Sequence, residues 1–473
     1  MGERTNPALA TGRSIPTRRN TELAMLLFAT VVVMAAQAIV DATVRGSVGL
    51  NVLWYGAGFA GVWLVAHLVV RRFARYADPL ILPAVALLNG LGLVLIARLD
   101  AAAALDAESS GEPIPGGDAP LQLAWTLVGL VLFLLVLLFI RDHRVLARYG
   151  YTFGAAGLVL LAIPAVLPTS ISEVNGAKLW IRVAGFSIQP GEFAKIALLI
   201  FFAAYLVAKR DVLSLASRRV LGLELPRGQD LGPVLVAWLA SLGVLVFEKD
   251  LGSSLLLFGI FVVMLYIATE RVSWLAIGLL LFSAGAFLAY QLFTHVQIRV
   301  KVWLDPFAFR NDEGFQIVQS LLGLGTGGMF GTGLGGGRPD SLNIYAKTDF
   351  IITTIGEELG LFGLVGVLML YLILVERGFR ASLLVRDAFG KLLAAGLAFS
   401  VALQVFVVVG GVTRLIPLTG LTTPFVSYGG SSLVANFALV ALLVRISDAA
   451  RRPAAPIGAP PPLAEAQTEV LSR

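Results

Sequence analysis

The sequence predicts an all-α, polytopic transmembrane bundle of about twelve spans. Three observations support this. Of 473 residues, 57% are hydrophobic and only 14% charged, where a soluble domain carries about a quarter charged residues. Apolar runs long enough to cross a bilayer, about 20 residues each, recur along the chain. The basic residues gather in alternate gaps between those runs, as the positive-inside rule expects.

The runs fall near 22–41, 50–70, 79–98, 121–140, 150–168 and 190–208, then 231–247, 252–269, 273–293, 350–375, 388–410 and 430–447. Phe247-Glu248-Lys249-Asp250 joins the seventh to the eighth. Arg13, Arg18 and Arg19 precede the first run, and Arg71, Arg72 and Arg75 follow the second. Arg141, Arg144 and Arg148 follow the fourth, and Lys209, Arg210, Arg218, Arg219 and Arg227 the sixth. Arg377, Arg380 and Arg386 follow the tenth, and Arg451 and Arg452 the twelfth. An even count puts all of these, and both termini, on the cytoplasmic face of a plasma membrane. Segments 99–120, 169–189 and 294–349 are then external, and the first of them is acidic (Asp100, Asp106, Glu108, Glu112, Asp118).

The formal charge of +6 is spread over short loops, which argues against a nucleic-acid partner and for membrane lipids. The absence of cysteine excludes disulfides and thiol catalysis. The scattered His67, His143 and His295 offer no histidine metal cluster. Residues 1–20 read as a polar cytoplasmic tail rather than a cleavable signal. Residues 21–119 hold three spans and an external loop, 120–447 the main membrane unit, and 448–473 a disordered, proline-bearing cytoplasmic tail. No internal repeat survives counting, so an inverted-repeat transporter is not suggested.

Four segments could carry chemistry. In Gln189-Pro190-Gly191-Glu192-Phe193-Ala194-Lys195, preceded by Trp180, proline suits a first helical turn and Glu192 and Lys195 share a face. Ionisable residues at membrane depth line a cavity or pair with each other, and both readings stand here. Glu248, Lys249 and Asp250 are either a solvated turn or charges needing partners inside. The segment from His295 to Asp349 holds Arg299, Lys301, Asp305, Asp312, Gln316 and Gln319. It also holds nine glycines between Gly323 and Gly337. Gly323–Gly328 formally fits G-x-G-x-x-G, but no βαβ context surrounds it. Close-packed backbone in a re-entrant loop is the better reading. Glu357 and Glu358 follow within an apolar run, where adjacent carboxylates need partners or protons. Bonding to backbone N–H groups and a substrate role are equally open. Lastly, Gly410–Ser432 combines Arg414, glycines, prolines and the hydroxyls of Ser427 and Ser431, groups that can receive an anion.

Together these segments resemble the SEDS family of RodA and FtsW. Gln189–Lys195 matches Q-P-S-E-F-A-K with glycine for serine. Pro417–Ser432 matches P-L-T-G-x-x-x-P-F-x-S-Y-G-G-S-S. Gly314–Gly360 matches the G-x-G-Y-Q to E-E-L-G element, with Phe315 for tyrosine. The resemblance covers about 120–447 and is similar in layout to the actinobacterial RodA branch, with two N-terminal helices added to a ten-helix core. It implies a peptidoglycan glycosyltransferase, inverting at the anomeric carbon, that polymerises lipid II beside a class B penicillin-binding protein in elongation or division.

In that chemistry a sugar hydroxyl attacks an anomeric carbon as a lipid pyrophosphate leaves. A carboxylate takes the proton, while cations such as Arg299, Lys301 or Arg414 meet the leaving charge. No cofactor is required, although a divalent cation (Mg or Mn) could serve that last task. The resemblance makes Trp180, Glu192, Lys195, Arg299, Lys301, Gln316, Gln319, Glu357, Glu358, Arg414, Ser427 and Ser431 substrate-binding candidates. It implies a catalytic aspartate shortly before the G-x-G-Y-Q element, where ungapped matching puts Phe309. Asp312 is the expected base, with Asp305 in reserve. A lipid-linked precursor flippase is the competing reading, and should show ionisable residues along both halves of a central path. A non-catalytic scaffold for the transpeptidase is the third, to be told apart by whether purified protein polymerises lipid II.

Overall fold

The computed structural model describes residues 17–174, 177–183, 186–213, 218–220, 223–225, 236, 239–240, 243 and 250–453. The helices are α1 (Arg19–Arg45), α2 (Asn51–Phe73), α3 (Ile81–Ser110), α4 (Ala119–Phe139), α5 (Gly150–Val166), α6 (Pro190–Leu213) and α7 (Leu251–Thr269). There follow α8 (Ser273–Leu292), α9 (Thr294–Leu304), α10 (Phe315–Gly327), α11 (Ile351–Leu384), α12 (Ala388–Val412) and α13 (Gly430–Arg451). Among the described residues, strands occur only as two-stranded antiparallel hairpins. Two of these, β1 (Glu173–Val174) with β2 (Ala177–Lys178) and β3 (Ile181–Val183) with β4 (Phe186–Ile188), fill the segment before α6.

Among the described residues, ten helices are long and apolar enough to cross a membrane, and α5 is a shorter apolar helix. Apart from 236, 239–240 and 243, the expected span at 231–247 lies outside the described residues, as do Glu248 and Lys249, so a count of twelve is not established. Two segments expected as loops are partly helical. α3 runs on to Ser110 because Ala101–Ala104 and the residues after it are good helix formers, and it stops at Gly111, whose φ is 71°. The 294–349 segment contains α9 and α10. At the other end of the chain, α13 runs through Arg451, into the stretch read as a disordered tail.

α13 and α3 are the most buried spans, followed by α12. α1 packs on α2 and α3. A charge cluster fastens α1 and α2 at one end. Buried Arg19 pairs with Glu22 at 2.5 Å, Glu22 reaches His67 Nδ1 at 2.8 Å, and Arg19 also donates to the Ala77 carbonyl.

The same end gathers the basic loops. Arg377 and Arg451 pair with Asp78, Arg452 pairs with Asp448, and His143 Nε2 meets Asp387 at 2.9 Å. Arg445 donates to the carbonyls of Phe73 and Leu137. The opposite end is joined by Lys347, which bonds Asp100 at 2.5 Å and Asp118 at 2.9 Å. Burial draws the Lys347 pKa down, but the two carboxylates outweigh it and hold it above the usual lysine value.

Glycines let α10 lie close against α11. A Cβ on Gly327 would sit 2.0 Å from the Gly356 carbonyl, and one on Gly323 2.9 Å from Glu357 Oε2. α11 itself breaks at Gly360, whose φ of 66° and ψ of −171° are non-helical. The glycine run docks into this break. Thr332 N donates to Glu357 O and Gly333 N to Glu358 O, each at 2.9 Å, and Leu361 N donates to Gly328 O at 2.9 Å. Irregular backbone at membrane depth is tolerated when its polar groups are matched in this way.

Candidate functional site at the end opposite the basic loops

Three elements converge at this end: the N-terminus of α7, the short helix α9, and the loop 413–429 between α12 and α13. Asp250 caps α7, accepting from Ser253 N at 3.0 Å and from the Ser253 hydroxyl. Arg299 projects from α9 and donates to the carbonyls of Leu418 and Thr419 at 3.0 and 3.2 Å. Asp250 and Asp349 both act on it electrostatically. Asp349 Oδ2 lies beside Gly420, whose φ of 76° favours glycine. One guanidinium thus lies against the 418–419 backbone, within electrostatic reach of two carboxylates.

Burial pushes Asp349 up to about 7, with Arg299 opposing and Asp250 adding to the rise. Asp349 keeps a little accessible surface, yet it lies deep under packed protein, and that depth sets the direction. Asp250 is raised for the same first reason, and Arg299 is lowered by burial.

A cavity of about 300 Å3 opens beside this group. Leu251, Leu255, Phe258, Phe282, Ala289 and Ile416 supply apolar walls, and among the described residues Arg299 is the one charged side chain lining it. It can hold an apolar chain with an anionic group at the arginine.

α9 continues from Arg299 to Asp305, six residues on, or about 9 Å along the axis at 1.5 Å per residue. The turn there is pinned to the 413–429 loop. Arg414, itself at φ 62°, donates to the carbonyls of Trp303 and Leu304, and Trp303 Nε1 donates back to Arg414 O at 3.1 Å. Asp305 is exposed and accepts from Ala308 N at 3.3 Å. Asp312 is exposed in the next turn, and Lys301 is exposed on α9. Gln316 and Gln319 are half-buried on the first turns of α10.

Glu192 and Lys195 form a buried pair at 3.0 Å, and Lys195 also donates to Gln404 at 3.0 Å. Gln404 in turn donates to Thr422 O at 2.8 Å. This pair and Arg299 therefore brace the same loop from two sides. Glu358 lies apart from this pair. Its Oε1 lies 2.6 Å from Arg98 Nε as an ion pair, off the angle of an aligned hydrogen bond, and its Oε2 accepts from Gly335 N at 3.1 Å. Glu357 accepts from Arg338 N at 2.7 Å. Both carboxylates thus hold the glycine run in place.

The hydroxyls of Ser427 and Ser431 are likewise engaged within the protein. Ser427 accepts from Thr423 N at 2.8 Å and donates to Thr348 O at 2.6 Å, and Ser431 accepts from Gln189 N at 2.9 Å. Trp180 is half-buried between the hairpins, and its backbone N–H donates to Ser172 O at 3.3 Å. Asp349, Arg98 and Gln404 were absent from the residues singled out in the sequence. Among the described residues, no group of three or more His, Asp or Glu is arranged to hold a metal.

A helical bundle of this kind, with an apolar cavity that meets a guanidinium at one end, has the architecture of a polytopic membrane protein. The model of the FtsW/RodA/SpoVE family, described as cell cycle protein, matches residues 79–452, and the chain belongs to that family. It is 56% identical to the peptidoglycan glycosyltransferase RodA of Mycobacterium tuberculosis, over all of both chains. A solved chain from a peptidoglycan synthase complex that coordinates polymerization and crosslinking superposes with TM-score 0.57 at 28% identity, covering 76% of this chain and 98% of that one. RodA of Thermus thermophilus superposes with TM-score 0.52 at 24% identity, covering 80% of this chain and 98% of the other, a likeness of fold. Residues 1–78, which carry α1 and α2, lie outside the family match but inside the full-length mycobacterial likeness.

Proposed function

We propose that this chain is a peptidoglycan glycosyltransferase that polymerises lipid II, with a class B penicillin-binding protein as partner, at the external face of the plasma membrane. The observation that carries the reading is the cavity, where apolar walls meet the half-buried guanidinium of Arg299. That combination suits a polyprenyl chain joined to a pyrophosphate. The full-length likeness to a glycosyltransferase supports it, and the likeness to a chain from a synthase complex supports the partner.

In this reading the lipid tail lies along Leu255, Phe258 and Phe282, and Arg299 meets the pyrophosphate. As the acceptor hydroxyl attacks the anomeric carbon, the bond from that carbon to the phosphate oxygen breaks. The leaving pyrophosphate gains the electron pair, and Arg299 offsets its charge. A carboxylate takes the hydroxyl proton. Two observations favour Asp305 over Asp312 for that role. Asp305 ends the helix that carries Arg299, and Arg414 pins the turn it stands on. A divalent cation riding on the substrate's own pyrophosphate is compatible with this arrangement, and a chelator tests it.

The experiment is polymerisation of lipid II by the purified chain, with and without its transpeptidase partner, alongside a vesicle assay for lipid II flipping. Glycan strands are expected. Flipping without polymer would support a transporter, and neither activity, with transpeptidase stimulation retained, would support a scaffold.

A further inference from the structure

The end of the bundle that gathers the basic loops holds a second cavity, unrelated to the site above. Its volume is about 270 Å3. Five arginines line it (Arg141, Arg144, Arg386, Arg445 and Arg452), against two carboxylates, Asp142 and Asp448. Asp387 lies just outside, near Arg144 at 3.5 Å. Arg452 is paired with Asp448, and Arg445 is spent on the Phe73 and Leu137 carbonyls. Among the described residues, Arg141 and Arg386 make no ion pair, so two guanidiniums face this cavity uncommitted.

A second observation points to a ligand. His143 lines the cavity and is 1% exposed. Its Nε2 is held by Asp387, while its Nδ1 has no hydrogen-bond partner, the nearest acceptor being Asp142 Oδ1 at 3.8 Å. A third says what kind. Exposed apolar side chains flank the arginines in sequence: Phe139 precedes Arg141 by two residues, Val145 follows Arg144, and Leu383 and Leu384 lead into Val385-Arg386. A ligand with a phosphate head and apolar tails meets both surfaces.

We propose that this cavity binds the phosphodiester headgroup of an anionic phospholipid, with Arg141 and Arg386 as its chief contacts. Guanidinium forks match phosphate oxygens, and basic pockets between helices on the cytoplasmic side are suited to such headgroups. The acyl chains run along the Phe139 and Leu383 surfaces. Inorganic phosphate shares the headgroup chemistry but lacks the tails, so the two sources can be separated.

The test uses the full chain, purified and placed in phosphatidylcholine nanodiscs, with dioleoyl phosphatidylglycerol titrated in and retention read by native mass spectrometry. Each direct guanidinium–phosphate contact in the cavity contributes about a fivefold factor, so Arg141→Gln with Arg386→Gln is expected to weaken retention about thirtyfold. Arg71→Gln with Arg72→Gln, an equal charge change on α2 and outside the cavity, is expected to weaken it by less than about threefold. Matched thermal unfolding of the two variants shows that both are folded. Equal retention by the unchanged protein and the Arg141/Arg386 variant would overturn the site. Equal losses from both double variants would overturn it in favour of diffuse surface attraction. Displacement of phosphatidylglycerol by inorganic phosphate at comparable concentration would overturn the lipid as occupant.

Discussion

Arg98→Met tests how the external segment is held. Arg98 is 2% exposed and its partner Glu358 is fully buried. Besides that ion pair, Arg98 donates to Gly337 O at 2.6 Å and approaches Asp340 at 3.4 Å. Removing it leaves the Glu358 carboxylate with Gly335 N alone and strands the Gly337 carbonyl. Breaking a buried pair by deleting one partner costs about 3–5 kcal/mol. On a scale of about 2–4 °C per kcal/mol for large domains, the melting temperature in detergent falls by at least roughly 6 °C. Hydrogen exchange at 331–337 should rise with it, because those glycines are held through Glu357 and Glu358. Arg98→Met combined with Glu358→Leu removes both charges and should be more stable than Arg98→Met alone. A melting temperature within about 1 °C of the unchanged protein, or a double variant less stable than the single, would refute the reasoning.

Lys195→Met leaves Glu192 buried without its cation, so it should lower stability by about 3–5 kcal/mol, with Lys195→Met plus Glu192→Gln partly restored; thermal unfolding reads both. Asp349, raised by burial to about 7, favours its protonated form in the folded state. Its stabilising contribution is therefore full below about pH 4, the unfolded value, and is lost as pH rises through about 7. Asp349→Asn should flatten that fall in unfolding scans from pH 4 to 8, and an unchanged slope would count against it. For orientation, cysteine placed at Ser341 should react with an impermeant reagent on intact cells, and cysteine at Ala388 should not; the reverse would invert the bundle.

Much of the membrane architecture was legible because hydropathy and charge are local signals. The run at 150–168 corresponds to α5 at Gly150–Val166, and 388–410 to α12 at Ala388–Val412. The extension of α3 past residue 98 was missed because polar residues end a hydropathy window without ending a helix. The site was legible only as a set of charges in want of partners. Glu357 and Glu358 announced a need, but Arg98 answers it from about 260 residues away, and nothing local marks that pairing. The Asp250–Arg299–Asp349 group is assembled the same way, from three separate elements. Glu192 and Lys195 could be paired from their spacing alone, whereas Gln404 could not. Ser427 and Ser431 looked available, yet their oxygens are taken by backbone groups.

The most direct measurement of the central claim is the rate at which purified chain, with its partner transpeptidase, polymerises lipid II when Asp305 or Asp312 is changed singly to asparagine. Removal of a general base lowers a rate about 10²–10⁴-fold. Asp305→Asn is expected to fall in that range, with binding of lipid II retained, while Asp312→Asn stays within a fewfold of the unchanged protein. A large loss in Asp312→Asn alone would move the base to that residue. Full activity in both variants, or no polymer from the unchanged protein with its partner present, would contradict the account.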